Sequence, residues 1–179
     1  MKLSTAAYLE GFYYRPRVDK ELLATYSEGL IGLSACLHGE IASLLLKRNN
    51  ETARAVAHEY REIFGEGNFY LEIMENGLPE QKTVNNGLIE IGRELSIPLV
   101  ATNDCHYIDR EDAEAHEVLL CIQTGKTMED TDRMKFKTDQ FYFRSPEAMS
   151  RLFKDIPESI NNTAAIAERC NLTFDFGNI

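Results

Sequence analysis

No stretch of about 18 consecutive apolar residues occurs in this chain, so none of it reads as a membrane-spanning helix. Its first residues, "MKLSTAAYLEG", also lack an apolar core long enough for a secretory signal. Cysteine is scarce: residues 36, 105, 121 and 170 only, with no C-x-x-C pair. That spacing speaks against zinc-finger and thioredoxin-like folds and suits a reducing compartment. Together these absences lead us to expect a cytoplasmic protein. Basic residues are in the minority, 19 Lys and Arg against 29 Asp and Glu, for a net charge of −10. A phosphate backbone is gripped by clustered Lys and Arg, so a chain this acidic is a poor nucleic-acid ligand by itself. Low-complexity segments and fixed-period repeats are absent as well. What remains is a globular composition, 44% hydrophobic and 27% charged over 179 residues, enough for one domain with a sizeable core.

Hydrophobic periodicity divides the chain into alternating strands and helices. "LSTAAYLEGF" reads as a helix end with Gly11 as its stop, and Val18, Leu22, Leu23 and Tyr26 recur at helical spacing before Gly29. Leu30 to Cys36 is a short apolar run of strand length. "GEIASLLLKRN" predicts a helix with Ile41, Ala42, Leu44 and Leu45 inward, and "ETARAVAHEYREIFG" a second with a stripe of Val56, Tyr60, Ile63 and Phe64. Asn68 to Met74 alternates as a strand does, and "PEQKTVNNGLIEIGRELS" is helical, though Gly87 weakens its middle. "PLVATND" is a strand with consecutive apolar residues, as expected when both faces are covered. "DREDAEAHEVLLCIQTG" predicts a helix capped by Asp109. "QFYFRSPEAMSRLF" predicts a strand running into a helix with Ser145 as cap and Pro146 in its first turn. In "DIPESINNTAAIAERCN", Asp155 and Glu158 have capping-box spacing, and "LTFDFGNI" reads as an extended connector. The alternation predicts an α/β fold with parallel strands.

In such folds the loops after the strands build the site. Here those loops carry Ser34-Ala35-Cys36, then Met74-Glu75-Asn76, then Asn103-Asp104-Cys105-His106. Asp104 and His106 are two apart, so an extended backbone would turn both to one side and Cys105 to the other. A carboxylate, an imidazole and a thiol from a neighbouring strand suit a divalent transition ion. D-x-H alone is a weak motif, and the plain alternative has Asp104 capping a turn and His106 satisfying a loop carbonyl. Cys36 reads first as a small buried hydrophobe, and Cys105, Cys121 and Cys170 as core. His38 is placed to help cap the helix it precedes. His58 falls on a polar helix face, and His116 reads as structural or surface. "RMKFKT" reads as an edge strand, and "RPR" at 15–17 as an exposed turn or an interface to another domain.

Taken in order, "YLEGFYYRPRVDKELL", "GLIGLSACLHGEI", "FYLEIMENGLPEQ", "PLVATNDCHYIDREDAEAHEVLLCIQTGK", "QFYFRSPEAM" and "DIPESINNTAAIAERCN" resemble the PHP (polymerase and histidinol phosphatase) domain of bacterial DNA polymerase III alpha subunits of the DnaE type. The resemblance covers nearly the whole chain. It implies part of a (β/α)7 barrel, with a metal cluster at the C-terminal ends of the strands and zinc or manganese as cofactor. It also implies a 3′–5′ exonuclease or phosphoesterase capacity, or a scaffold role for a separate proofreading exonuclease. Position by position, Cys36 matches a family ligand cysteine, and Asp104 and His106 the last D-x-H pair. Glu75 and Asn76 are possible site neighbours with an open role.

The family pattern also opens with H-x-H, and none occurs here; the histidines are 38, 58, 106 and 116. We therefore expect a partial domain over 1–155 that lacks its first strands, and a C-terminal helix and connector over 156–179 leading toward a polymerase core. No catalytic residue is assigned within this piece. Metal binding should be weak, nuclease activity at most a trace, and polymerase activity nil. The implied partners are that polymerase core, a proofreading exonuclease and other replisome subunits, with DNA reached through other domains. An unpaired barrel edge would favour a homodimer. Two other readings stand beside this one: a stand-alone phosphoesterase for small phosphate esters, and a metal-free scaffold.

Overall fold

A computed structural model describes residues 1–174, 176 and 177. The elements are α1 (Lys2–Leu9), α2 (Lys20–Thr25), β1 (Gly32–Leu33), α3 (Glu40–Leu46), α4 (Asn50–Phe64), β2 (Phe69–Met74), α5 (Pro79–Leu95), β3 (Leu99–Thr102), a 3₁₀ turn (Arg110–Asp112), α6 (Ala113–Thr124), α7 (Pro146–Leu152) and α8 (Pro157–Arg169). The three strands form one parallel sheet in the order β1-β2-β3. This is the expected α/β pattern, carried among the described residues by three parallel strands. The "LTFDFGNI" connector falls partly outside the described residues; its first residues, 172–174, are irregular.

The core lies between the sheet and helices α3, α4 and α5. Leu71 and Ile73 on β2 and Ala101 on β3 meet Ile41, Ala42, Leu45, Ala53, Val56, Val84, Leu88 and Ile91 from the helices. Each fully buried Leu or Ile contributes about 1.5–3 kcal/mol relative to exposure. Ile41, Ala42, Leu45 and Val56 are positions the helical periodicity assigns inward; Ala53, Val84, Leu88 and Ile91 add to them. Val100 and Tyr70 are buried on the opposite face, so the continuous apolar runs do reflect two covered faces. α8 is tied to the sheet as well: Asn162 Nδ2 donates to Leu99 O at 2.7 Å, and Arg169 donates to Tyr70 Oη at 3.2 Å.

Several expectations are corrected. β1 is only two residues long, although Ser34 N–H still donates to Tyr70 O at 3.0 Å. Residues 134–137 form no strand; Phe136 turns into a cluster of rings instead. In "QFYFRS" the strand shrinks to a single bridge, Tyr107 with Tyr142. α8 starts after Ile156 with Pro157 in its first turn and no side-chain cap, so Asp155 and Glu158 build no capping box. α3 is capped by the Gly39 backbone rather than by His38. Cys121 is buried, but Cys105 and Cys170 are exposed, because one lies past the end of β3 and the other past the end of α8. α5 runs unbroken through Gly87, for a reason taken up in the Discussion.

Candidate functional site

β2 and β3 place alternate residues on one face, and a polar stripe crosses the sheet there. Ser34 Oγ accepts from Glu72 N–H at 2.8 Å, and Thr102 Oγ1 donates to Glu72 Oε1 at 2.6 Å. Glu72, not singled out in the sequence, is thus the acidic centre of the sheet. Its signal was an acid in the middle of an otherwise buried strand. Cys36 lies beside it: Cys36, Glu72, Met74 and Gln81 line a narrow crevice between the end of β1 and α5.

Past β3 the chain does not stay extended. Asp104 adopts φ 41°, and Ala35, just after β1, φ 65°. A non-glycine residue there costs on the order of 1–2 kcal/mol, and such strain persists only when the surroundings impose it. The surroundings are explicit. Asn103 O accepts from Asn76 Nδ2 at 3.0 Å, and Asn103 Oδ1 accepts from Arg144 at 2.8 Å. Asn103 Nδ2 donates to Tyr142 O at 2.7 Å, and His106 N–H donates to Phe141 O at 2.7 Å. With its neighbours held on both sides, Asp104 turns back to meet His106. Asp104 Oδ1 and His106 Nε2 lie 3.3 Å apart, both about one-third exposed. The pair meets as expected, but through this left-handed turn rather than through strand alternation.

Asn76 is the hub of the arrangement. It is fully buried; its Nδ2 also donates to Gln140 O at 3.0 Å, its Oδ1 accepts from Gln81 Nε2 at 3.1 Å, and its backbone is held by Gln81 and Thr138. Arg144, also buried, joins Asn103 to Gln140 Oε1. Glu75 by contrast closes only its own turn, accepting from Gly77 N–H at 2.9 Å. The sequence places Asn103 in a site loop without a role; Thr138 and Arg144 escape it because their partners Asn76 and Asn103 lie 62 and 41 residues away, and Gln81 because an amide on a helix carries no pattern of its own. Arg144 alone left a trace, a charge at the end of an apolar run.

The His106 ring packs edge-on against Phe136, Phe141 and His116, with centroids 4.8, 5.5 and 5.6 Å away. Burial first, and then the His106 imidazole, lower the pKa of His116, so His116 is neutral at pH 7. As donors, Asp104 and His106 fit one ion. Ligands about 2.1 Å from a tetrahedral cation sit about 3.4 Å apart, close to the 3.3 Å found. Among the described residues no third His, Cys, Asp or Glu joins them in a metal-holding group, so Cys36 stands apart from the pair.

Sequence comparison supplies the class that this parallel sheet, with an aspartate and a histidine beyond its strand ends, leaves open. Residues 1–76 match the PHP domain family model. The chain is 51% identical to DNA polymerase III subunit alpha of Treponema pallidum over 96% of its length. Against the subunits named alike from Borreliella burgdorferi and Thermus aquaticus, identity is 47% and 43% over 96% and 99%. The chain spans about 15% of the length of these relatives. Over nearly its whole length the chain is similar to part of these DNA polymerase III alpha subunits, and its first 76 residues match the PHP domain.

Proposed function

We propose that this chain forms part of the PHP domain of a replicative DNA polymerase III alpha subunit, acting in the cytoplasm, with residues 1–155 in that domain and 156–179 leading toward the polymerase core. The observation that carries the reading is 43–51% identity to such subunits over nearly the whole chain. DNA synthesis belongs to the rest of that subunit, which meets DNA and the other replisome components, a proofreading exonuclease among them.

Within this piece, Asp104 and His106 would hold a divalent cation, zinc or manganese, without Cys36, the third ligand the family resemblance implies, which stands apart from them. A bound ion of that kind activates water and neutralises phosphoryl charge, the chemistry of 3′–5′ nucleotide removal. The chain's own contribution is positional. Asn76 and Arg144 fix Asn103, the His106 N–H is tied to Phe141 O, and the Asp104 carboxylate is thereby presented to His106.

The test is metal content. Purified chain is dialysed against zinc or manganese, and ions per chain are counted beside His106→Ala. We expect a weakly held ion, about one per chain, that the variant loses; equal content in both would leave only the scaffold role. Excision from a DNA 3′ end should be at most a trace, and primer extension nil. Turnover of a small phosphate ester such as histidinol phosphate would favour the stand-alone phosphoesterase instead.

A further inference from the structure

A cavity of about 300 Å³ lies between the start of α6 and the 136–139 segment. That volume is at the lower end of ligand pockets, room for one heterocycle and its sugar. Its aromatic lining is Tyr107, His116 and Phe136. The same His116 and Phe136 rings pack against His106 at centroid distances of 5.6 and 4.8 Å. The cavity and the Asp104–His106 pair therefore share a wall one ring thick.

The polar rim decides what fits. Glu114, Glu117 and Asp139 line it against the single cation Lys137. Lys137 is engaged by Glu80 at 3.2 Å, Glu117 by Arg133, and Asp139 by Arg110 at 2.8 Å. Glu114 makes no ion pair among the described residues, which leaves a carboxylate acceptor at the mouth. An acidic rim repels phosphate. Aromatic walls with a carboxylate acceptor suit a flat, neutral ring bearing an amino group.

We propose that this cavity receives the nucleobase of a terminal nucleotide, with preference for an amino-bearing base, and leaves its phosphate outside the shared wall beside Asp104 and His106. The inference deepens the phosphoryl-transfer reading and rests on it for the identity of the substrate. The base itself is held by ring stacking, which needs no metal.

The test uses the whole chain in the presence of a chelator, with resonances of the His116 and Phe136 rings followed by NMR. Deoxyadenosine monophosphate should shift both rings, and 2-deoxyribose 5-phosphate neither. Phe136→Leu and His116→Leu should each weaken binding roughly tenfold to a hundredfold, the range of one lost base stack. Glu114→Ala should leave stacking in place and erase the preference for deoxyadenosine over thymidine. Should Phe136→Leu fail to fold by circular dichroism, His116→Leu and Glu114→Ala decide the matter. Equal shifts from the sugar phosphate, or unchanged affinity in the folded variants, would overturn the proposal. Because the chelator removes any ion, failure here is distinct from failure of the metal reading, which the His106→Ala metal count tests separately.

Discussion

At the scale of single residues, the site depends on an amide more than on its candidate ligands. Asn76 holds two carbonyls from distant loops, Asn103 O and Gln140 O, and the amide of Gln81. Truncation to Ala would strand all three in a buried place, at 1–3 kcal/mol for each group left unpaired. Some relief from entering water leaves an expected loss of about 3 kcal/mol for Asn76→Ala, read by urea denaturation. The variant should also lose whatever metal the wild-type chain holds, because Asn103 no longer fixes the strained turn at Asp104. A folded variant of unchanged stability would refute the hub role. Asp104 and His106 can be singled out in the sequence because their chemistry is carried by residue type and by position after an apolar strand. Asn76 could be placed next to the site but not given a role, since its partners lie 27 and 64 residues away and no local pattern encodes them. The exposure of Cys105 was misjudged for the converse reason: a thiol is apolar by type, and only the tertiary fold shows that nothing covers it.

At the scale of elements, the long periodic helices and β2 and β3 were legible because one buried stripe sets the pattern. Short elements were not, since two residues of β1 and a one-bridge contact at Tyr142 carry no periodicity. Gly87 shows how packing overrides propensity. A Cβ there would come within 2.7 Å of Leu45 Cδ2 in the buried core, so the glycine lets α3 approach α5. Gly87→Ala gains about 1 kcal/mol of helix propensity but overpacks the core by about 1–3 kcal/mol. We expect a net loss of about 1 kcal/mol and a melting point lower by about 2–4 °C; a higher melting point would refute the packing account. Helix docking also carries a pH signature. Lys20 from α2 reaches Glu40 on α3 and Glu59 on α4 at 3.0 and 2.7 Å, and Tyr60 Oη donates to Glu40 at 2.8 Å. Partial burial opposes the Lys20 charge, but its bonds to Glu59 and Glu40 prevail and raise its pKa above 10.5. Burial, followed by the bond to Glu40, raises Tyr60 above 10.0. Both groups hold their protons more tightly when folded, so their stabilisation is complete below these ordinary values and is lost as pH rises through the raised ones. The melting point of the wild-type chain should therefore fall toward that of a Lys20→Met, Tyr60→Phe double variant between about pH 10 and 12. Parallel curves over that window would show that the cluster does not secure α2.

At the scale of the whole molecule, two features oppose each other. β1 ends the sheet, and Leu33, more than a third exposed, belongs to the rim that no strand among the described residues pairs. The turn at 12–15 adds apolar surface: Phe12, Tyr13 and Tyr14 are all more than half exposed, and Tyr14 sits at φ 58°. Exposed apolar groups and an unpaired edge each favour a second copy. Against this stands a net charge of −10, which drives copies apart. The two forces differ in their response to salt: screening weakens the repulsion and leaves apolar burial in place. The isolated chain should thus sediment as a monomer at low ionic strength and shift toward a dimer as salt and protein concentration rise. Leu33→Lys, which puts a charge on the edge, should hold it monomeric throughout. A wild-type chain that stays monomeric at high salt and high concentration would remove the open edge as a source of association. Dissociation by salt would instead mean that the contact is built from ion pairs, and that β1 takes no part in it.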